Sequence, residues 1–143
     1  MAVTAKLYSI FSAKLANKEI DYDTDSIKVA LCTNAYTPNQ NTHDYFNDIT
    51  NEVTGTGYTA GGATLGSKTV TQSTTTHTFD AADTVWTTST ITARYAIIYD
   101  ATPGTAATNP LIAYVDFGAD VSSTAGDFTI TWSASGIFTL TVA

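Results

Sequence analysis

Between Thr92 and Phe117 the apolar positions come in two bursts, "TARYAIIYD" and "PLIAYVDF", separated by the polar run "DATPGTAATNP". Successive side chains of a strand point to opposite faces. Ala93, Tyr95, Ile97 and Tyr99 therefore share one face, and Arg94, Ala96 and Ile98 share the other. A second face that is itself mostly apolar predicts a strand covered on both sides and central in its sheet. The Pro-Gly and Asn-Pro pairs of the intervening segment are turn chemistry. The return strand, 111–118, places Leu111, Ala113, Val115 and Phe117 on one face.

The remaining chain predicts further short strands around this pair. Leu7, Tyr8, Phe11 and Leu15 recur at spacings of three and four, which predicts a helix over 4–18 with Thr4 as N-cap and Asn17 and Lys18 in its last turn. Such a helix either covers the open face of a sheet or docks as an arm on a neighbouring subunit. The acidic turn "EIDYDTDS" (19–26) leads into a strand, "IKVALCT" (27–33), in which Ile27, Val29 and Leu31 alternate with Lys28, Ala30 and Cys32. From Asn34 to Ser67 the chain is polar and rich in Gly and Thr, with a short helix expected in "HDYFNDITNEV" that turns Tyr45, Phe46, Ile49 and Val53 inward. Long irregular stretches are often functional, so this one is a candidate contact surface. "KTVTQSTTTHTF" (68–79) reads as a hairpin turning at Gln72–Thr75, and "TVWTTSTI" (84–91) as a short strand or bulged connection carrying Trp86. "FTITW" (128–132) and "IFTLTV" (137–142) read as a last hairpin closed by "SASG". The expected fold is mainly β: one domain, 1–143, an antiparallel sandwich or barrel of six to eight short strands. Its expected parts are the N-terminal helix, an irregular insertion over 34–67 and a main antiparallel sheet over 68–143.

Composition sharpens the picture. Charged residues make up 13% of the chain, against roughly 25% in soluble domains generally, and Thr, Ser and Asn take the solvent-facing positions instead. Short side chains have little rotamer entropy to lose on contact, which suits a chain packed against other proteins. A net charge of −7 and six scattered basic residues argue against a nucleic-acid or anionic-membrane partner. No basic segment followed by an apolar run opens the sequence, so no signal peptide is expected. No run approaches the length of a membrane helix. The single cysteine, Cys32, excludes an intrachain disulfide and a multi-cysteine zinc site, and its strand position predicts a buried, inert thiol.

The chemical motifs are fragments. "DYDTD" sets Asp21, Asp23 and Asp25 at alternating positions, as a calcium loop opens, but Ser26 stands where that loop needs Gly and Cys32 where it needs Glu. A solvated acidic turn is the reading these residues favour, and an adventitious or structural cation is the other. "GTGYTAGG" (55–62) resembles a dinucleotide fingerprint in spacing but lacks the buried strand before it and the helix after it, which leaves a flexible or closely packed loop. His43 and His77, the only histidines, lack metal spacing and read as surface side chains. No G-x-S-x-G elbow occurs. Asp80, Asp83, Asp100 and Asp120 sit at turns, and Asp116, within a strand, is expected to pair with Arg94. Aromatics such as Tyr58, Trp86, Tyr95, Tyr99, Tyr114 and Trp132 either fill the core or, where exposed, form a carbohydrate platform or protein hot spot.

Taken in order, "IKVALCTNAYTPNQNTHDYFNDITNEVTGTGYTAGGATL", "ITARYAIIYD", "PLIAYVDFG" and "FTITWSASGIFTLTV" resemble a family of small structural proteins of tailed bacteriophages, over Ile27 to Val142. The resemblance implies a virion component, foremost a capsid decoration (cement) protein, made in the host cytoplasm and placed on the capsid surface. It implies the major capsid protein as partner, a homotrimer as the state, no cofactor and no catalytic residues. The expected contacts are Leu7, Tyr8 and Phe11 of the N-terminal segment and Tyr58, Gly61 and Gly62 of the Gly-rich loop. The alternatives are a tail-tip, head-fibre or receptor-binding module, and a virion-associated hydrolase.

Overall fold

The computed structural model describes residues 2–143. Eight strands and one α-helix follow in the order β1 (Thr4–Leu7), α1 (Phe11–Ala16), β2 (Ile27–Cys32), β3 (Ala63–Thr64), β4 (Thr69–Ser73), β5 (Thr76–Asp80), β6 (Thr84–Asp100), β7 (Leu111–Ile130) and β8 (Phe138–Thr141). They form an antiparallel five-stranded sheet, β1-β7-β6-β2-β3, and an antiparallel three-stranded sheet, β4-β5-β8. The chain is mainly β, as its patterning predicts, and the two sheets face one another like the layers of a sandwich.

The strands are not all short. β6 runs 17 residues and β7 runs 20, joined through a turn that holds Gly104 at φ +96°. β6 is the central strand, and both its faces are covered. Between the sheets lie Val29, Leu31, Ile98 and Ile112, with Phe11, Tyr22, Phe79 and Phe138 as an aromatic cluster. Phe79 and Phe138 stack at 4.5 Å, and Phe11 meets both edge-on. The opposite face of the large sheet carries Ala30, Cys32, Ile97, Tyr99 and Leu111, roofed by Tyr36, Phe46 and Ile49 from the long loop. Each buried aliphatic or aromatic side chain contributes about 1.5–3 kcal/mol by leaving water.

Irregularities in the β6–β7 ladder decide which side chains reach which layer. Tyr95 lies opposite Asp116 but Ala93 lies opposite Val121, so Arg94 alone faces Phe117–Asp120. Across this bulge Ala93 joins Ala96 and Ile98 between the sheets, not Tyr95, Ile97 and Tyr99 as strict alternation predicts. A second slip, Ile98 opposite Ala113 but Tyr99 opposite Leu111, turns Leu111 away from Ala113 and Val115. Bulges of this kind insert residues into one strand and re-aim its side chains.

Four expectations are corrected. Residues 4–18 do not make one helix: Thr4–Leu7 pair with Asp116–Ala113 as β1, and only Phe11–Ala16 are α-helical. An open strand edge offers β1 a full set of partners, and tertiary pairing of this sort outweighs helical spacing. In "HDYFNDITNEV" only Phe46–Asp48 form a 3₁₀ turn, closed when Asp48 Oδ2 accepts the N–H of Asp44, and the chain leaves it extended at Ile49. Residues 84–91 are not separate but the first half of β6. The last hairpin does not exist: Phe128–Ile130 end β7 opposite Trp86–Thr84, whereas β8 pairs with β5 in the other sheet. "SASG" is a turn, with Gly136 N–H donating to Ser133 O, but it carries the chain between layers. The hairpin predicted over 68–79 is β4–β5, turning at Thr74 with φ +55°.

Candidate functional site

β7 outruns its neighbour on one side. β1 covers it only from Ala113 to Asp116, so from Phe117 to Ile130 it has β6 on one side and, among the described residues, no strand on the other. An edge of this kind presents unpaired N–H and C=O groups to solvent. Alongside it runs a groove of about 200 Å³ lined by Val3, Phe117, Val121, Phe128 and Ile130, with Thr129 and Thr131 at its margin. Val3 and Val121 are among the most exposed large apolar side chains of the described residues. The outward face of the same two strands is hydroxyl-rich: Thr87, Thr90 and Thr92 of β6 and Ser122 and Thr124 of β7 are exposed, and Thr92 and Ser122 hydrogen-bond across the pair at 2.7 Å. A second recess, about 440 Å³, opens beside them between Thr33, Glu52, Thr54 and Ser123. Together these surfaces combine an unpaired backbone, an apolar trough and short neutral side chains. That set holds no nucleophile paired with a base; it is suited to binding an extended chain or a close-fitting protein surface.

The residues expected from sequence as contacts lie elsewhere and do not form one surface. Tyr8 and Phe11 are each 1% exposed, so neither side chain is open to a partner. Tyr8 Oη shares a hydrogen bond with Tyr36 Oη at 2.9 Å, which continues to His43 Nδ1 at 2.9 Å, and burial pushes the Tyr8 phenol far up from its ordinary pKa. Phe11 fills the inter-sheet aromatic cluster, and Leu7 is half-buried on β1. The Gly-rich loop is stapled to β2. Tyr58 Oη donates to Glu52 Oε1 at 2.6 Å and accepts the Leu31 N–H at 2.9 Å. Burial, then the Glu52 carboxylate, raise its pKa. Gly61 N–H donates to the same Glu52 oxygen at 2.5 Å, and Gly61 O accepts from Tyr99 Oη at 2.7 Å. Gly62 sits at φ +78°, where a Cβ would fall 1.8 Å from Val29 O. The glycine spacing therefore serves close packing, one of the two readings its sequence context left.

Other candidates resolve individually. Cys32 is fully buried, and burial, then the Glu52 charge, push its thiol up to about 12, so it is the inert cysteine its strand position predicts. Arg94 Nε donates to Asp116 Oδ1 at 2.7 Å, the expected cross-strand pair, and holds that carboxyl below the usual range. His43 is not a plain surface residue: it is half-buried against Tyr36 and Tyr8. Lys14, also largely buried, bonds Glu19 Oε2 at 2.7 Å and the Tyr45 hydroxyl, which raise its pKa. Asp100 is wholly buried, and burial, then the neighbouring Asp25 carboxylate, push its carboxyl up to about 6.

Sequence reasoning puts Phe117 in the return strand and Phe128 and Ile130 in the last predicted hairpin, but it does not bring them together with Val3 and Val121. The bulge at Phe117–Asp120 breaks alternation along β7, and Val3 arrives only because Thr4–Leu7 pair with β7. The legible signal was compositional: "ADVSSTAGD", small and polar, following a strong apolar strand. Among the described residues no group of three or more His, Cys, Asp or Glu could hold a metal ion, and no helix is long and apolar enough to cross a membrane. No protein-family model, no curated protein and no solved structure matches the chain.

Proposed function

We propose that this chain is a non-catalytic structural protein of a tailed-phage particle, a capsid decoration protein that seats the open edge of β7 and its apolar groove on the major capsid protein. The observation that carries the binding role is the unpaired run from Phe117 to Ile130 beside the Val3–Phe117–Val121 trough. Strand addition at such an edge gains main-chain hydrogen bonds, and the trough gains by leaving water. The Thr- and Ser-rich flank adds contact area at low entropic cost. The assignment to a phage shell rests on the sequence resemblance. In mechanism the protein binds the mature shell better than the immature one and so stabilises the mature state by mass action. Recognition of glycans through exposed aromatics has less behind it. The most exposed large apolar side chains, Val3, Val70, Val85, Val121, Leu140 and Val142, include no aromatic.

The test is light scattering on the purified protein, alone and mixed with empty shells of the phage that encodes it. A trimer that saturates the shells at a fixed ratio is the expected result. Val121→Lys, which places a charge in the trough at an exposed position, should weaken shell binding by at least about tenfold with little change in melting temperature. Shells that bind Val121→Lys as well as wild type would move the contact away from this groove. A wild-type protein that ignores the shells would overturn the decoration reading.

A further inference from the structure

The acidic turn before β2 and the far end of β6 bring two carboxylates together where no cation answers them. Asp100 ends β6 opposite Ile27, the first residue of β2, and is 0% exposed. Its Oδ1 accepts the Thr102 N–H at 2.8 Å, but its Oδ2, also buried, has no hydrogen-bond partner. Beside it stands the Asp25 carboxylate, close enough to share a hydrogen bond if one of the two were protonated. A buried, unpartnered carboxylate oxygen costs more than most polar groups in a fold, and here a second negative charge adds to the cost.

The surroundings are oxygen-rich. Asp25 Oδ2 accepts the Asp21 N–H at 2.7 Å, and Asp21 Oδ1 accepts the Thr24 N–H at 3.2 Å, which fixes the backbone of the turn and the Asp25 side chain with it. Thr102 Oγ1 accepts the Ser26 N–H at 2.8 Å and so places a hydroxyl oxygen between the two segments. Among the described residues the one cationic side chain bonded to this turn, Lys68, gives its ammonium to the Asp25 carbonyl at 2.8 Å and forms no ion pair with either carboxylate. The site therefore offers hard oxygen donors and an unmet demand for positive charge.

We propose that Asp25 and Asp100, with the Thr102 hydroxyl beside them, bind a hard divalent cation, calcium in preference to magnesium, that ties the acidic turn to the end of β6. Calcium accepts irregular sets of six to eight oxygens and completes them with water, whereas magnesium demands near-octahedral geometry. Two carboxylates rather than three place the affinity in the weak range, about 10⁻⁴–10⁻³ M. The rival occupant is a proton shared by the two carboxyls, which serves only in acid.

The test is thermal unfolding at pH 7.5 after treatment with chelator, with calcium chloride then added to about 10 mM, roughly ten times the upper end of that range. A saturable rise in Tm is expected, about 3–6 °C at ten times Kd, which corresponds to about a tenfold shift of the folding equilibrium. Magnesium should give a smaller rise. Asp25→Asn, at a half-exposed position, should fold and lose the calcium increment, and Asp100→Asn should lose it as well. Calorimetric titration of calcium into wild type gives the same answer without any variant. A wild-type Tm that ignores calcium but climbs as pH falls towards 5 would identify the proton as the occupant and overturn the proposal. A calcium increment that survives in Asp25→Asn would overturn it too.

Discussion

Tyr58→Phe removes one oxygen and leaves the ring in place, so its cost can be read from the bonds that oxygen makes. The hydroxyl accepts the Leu31 N–H at 2.9 Å and donates to Glu52 Oε1 at 2.6 Å. Leu31 lies fully buried on β2, so its N–H would be left without a partner, a loss of about 1–3 kcal/mol. Glu52 would lose a charge-assisted bond of about 1.5–3 kcal/mol, discounted because the carboxylate is half-exposed and can recover water. Glu52 also keeps the Gly61 N–H at 2.5 Å. The expected destabilisation is about 2–4 kcal/mol, a large share of the 5–15 kcal/mol that holds a typical domain. Urea unfolding followed by tryptophan fluorescence measures it, since Trp86 stands 6.1 Å from the Tyr58 ring. The midpoint should fall with an unchanged slope. Tyr99→Phe is the internal comparison: it deletes a single bond, Tyr99 Oη to Gly61 O at 2.7 Å, and should cost about 1 kcal/mol. A Tyr58→Phe protein within about 0.5 kcal/mol of wild type would refute the claim that this hydroxyl staples the Gly-rich loop to β2.

Two further outcomes follow from the same region. Gly62→Ala should cost more than about 3 kcal/mol in a denaturation experiment, because its Cβ would meet Val29 O at 1.8 Å and its φ of +78° suits glycine, whereas Gly66→Ala, with nothing within 4 Å, should stay within about 0.5 kcal/mol. The Cys32 thiol, buried and with its pKa pushed up to about 12, should react with an aromatic disulfide reagent at pH 8 only as fast as the protein opens, and rapid labelling of the folded protein would contradict its placement.

Much of the fold was legible where local pattern and tertiary pairing agree. The alternation in "KVALC" and "RYAIIYD" correctly predicts β2 and a β6 segment covered on both faces, because parity in a strand is set by the backbone alone. Parity fails at bulges, which is why Ala93 and Leu111 turn up in the opposite layer. Turn chemistry has a similar limit: "SASG" announces a change of direction, but the partner strand of β8 is set by packing against Phe79, far away in sequence. The spacing of Leu7, Tyr8 and Phe11 fits a helical face, yet here it spans a strand, a turn and the start of α1. The site suffers most from this. Its groove depends on β7 extending past β1, and no local pattern records where a neighbouring strand stops.

The strand order also governs how the protein reaches this state. Only β4–β5 and β6–β7 join across short connections; β1 waits for Asp116 to meet Thr4, and β2 waits for Asp100 to meet Ile27. Pairings between distant parts of a chain must meet their loop-closure entropy before they gain any contact, which makes such topologies slow to fold. On a ribosome β2 emerges well before β6, and its apolar "VALC" spends that interval without a partner, as do the edges of every other copy being made. Through β2 the emerged chain is neutral, with Lys6, Lys14, Lys18 and Lys28 matched by Glu19, Asp21, Asp23 and Asp25. Charge therefore gives the waiting strand no protection until Asp44, Asp48, Glu52, Asp80 and Asp83 have followed it and made the growing chain acidic.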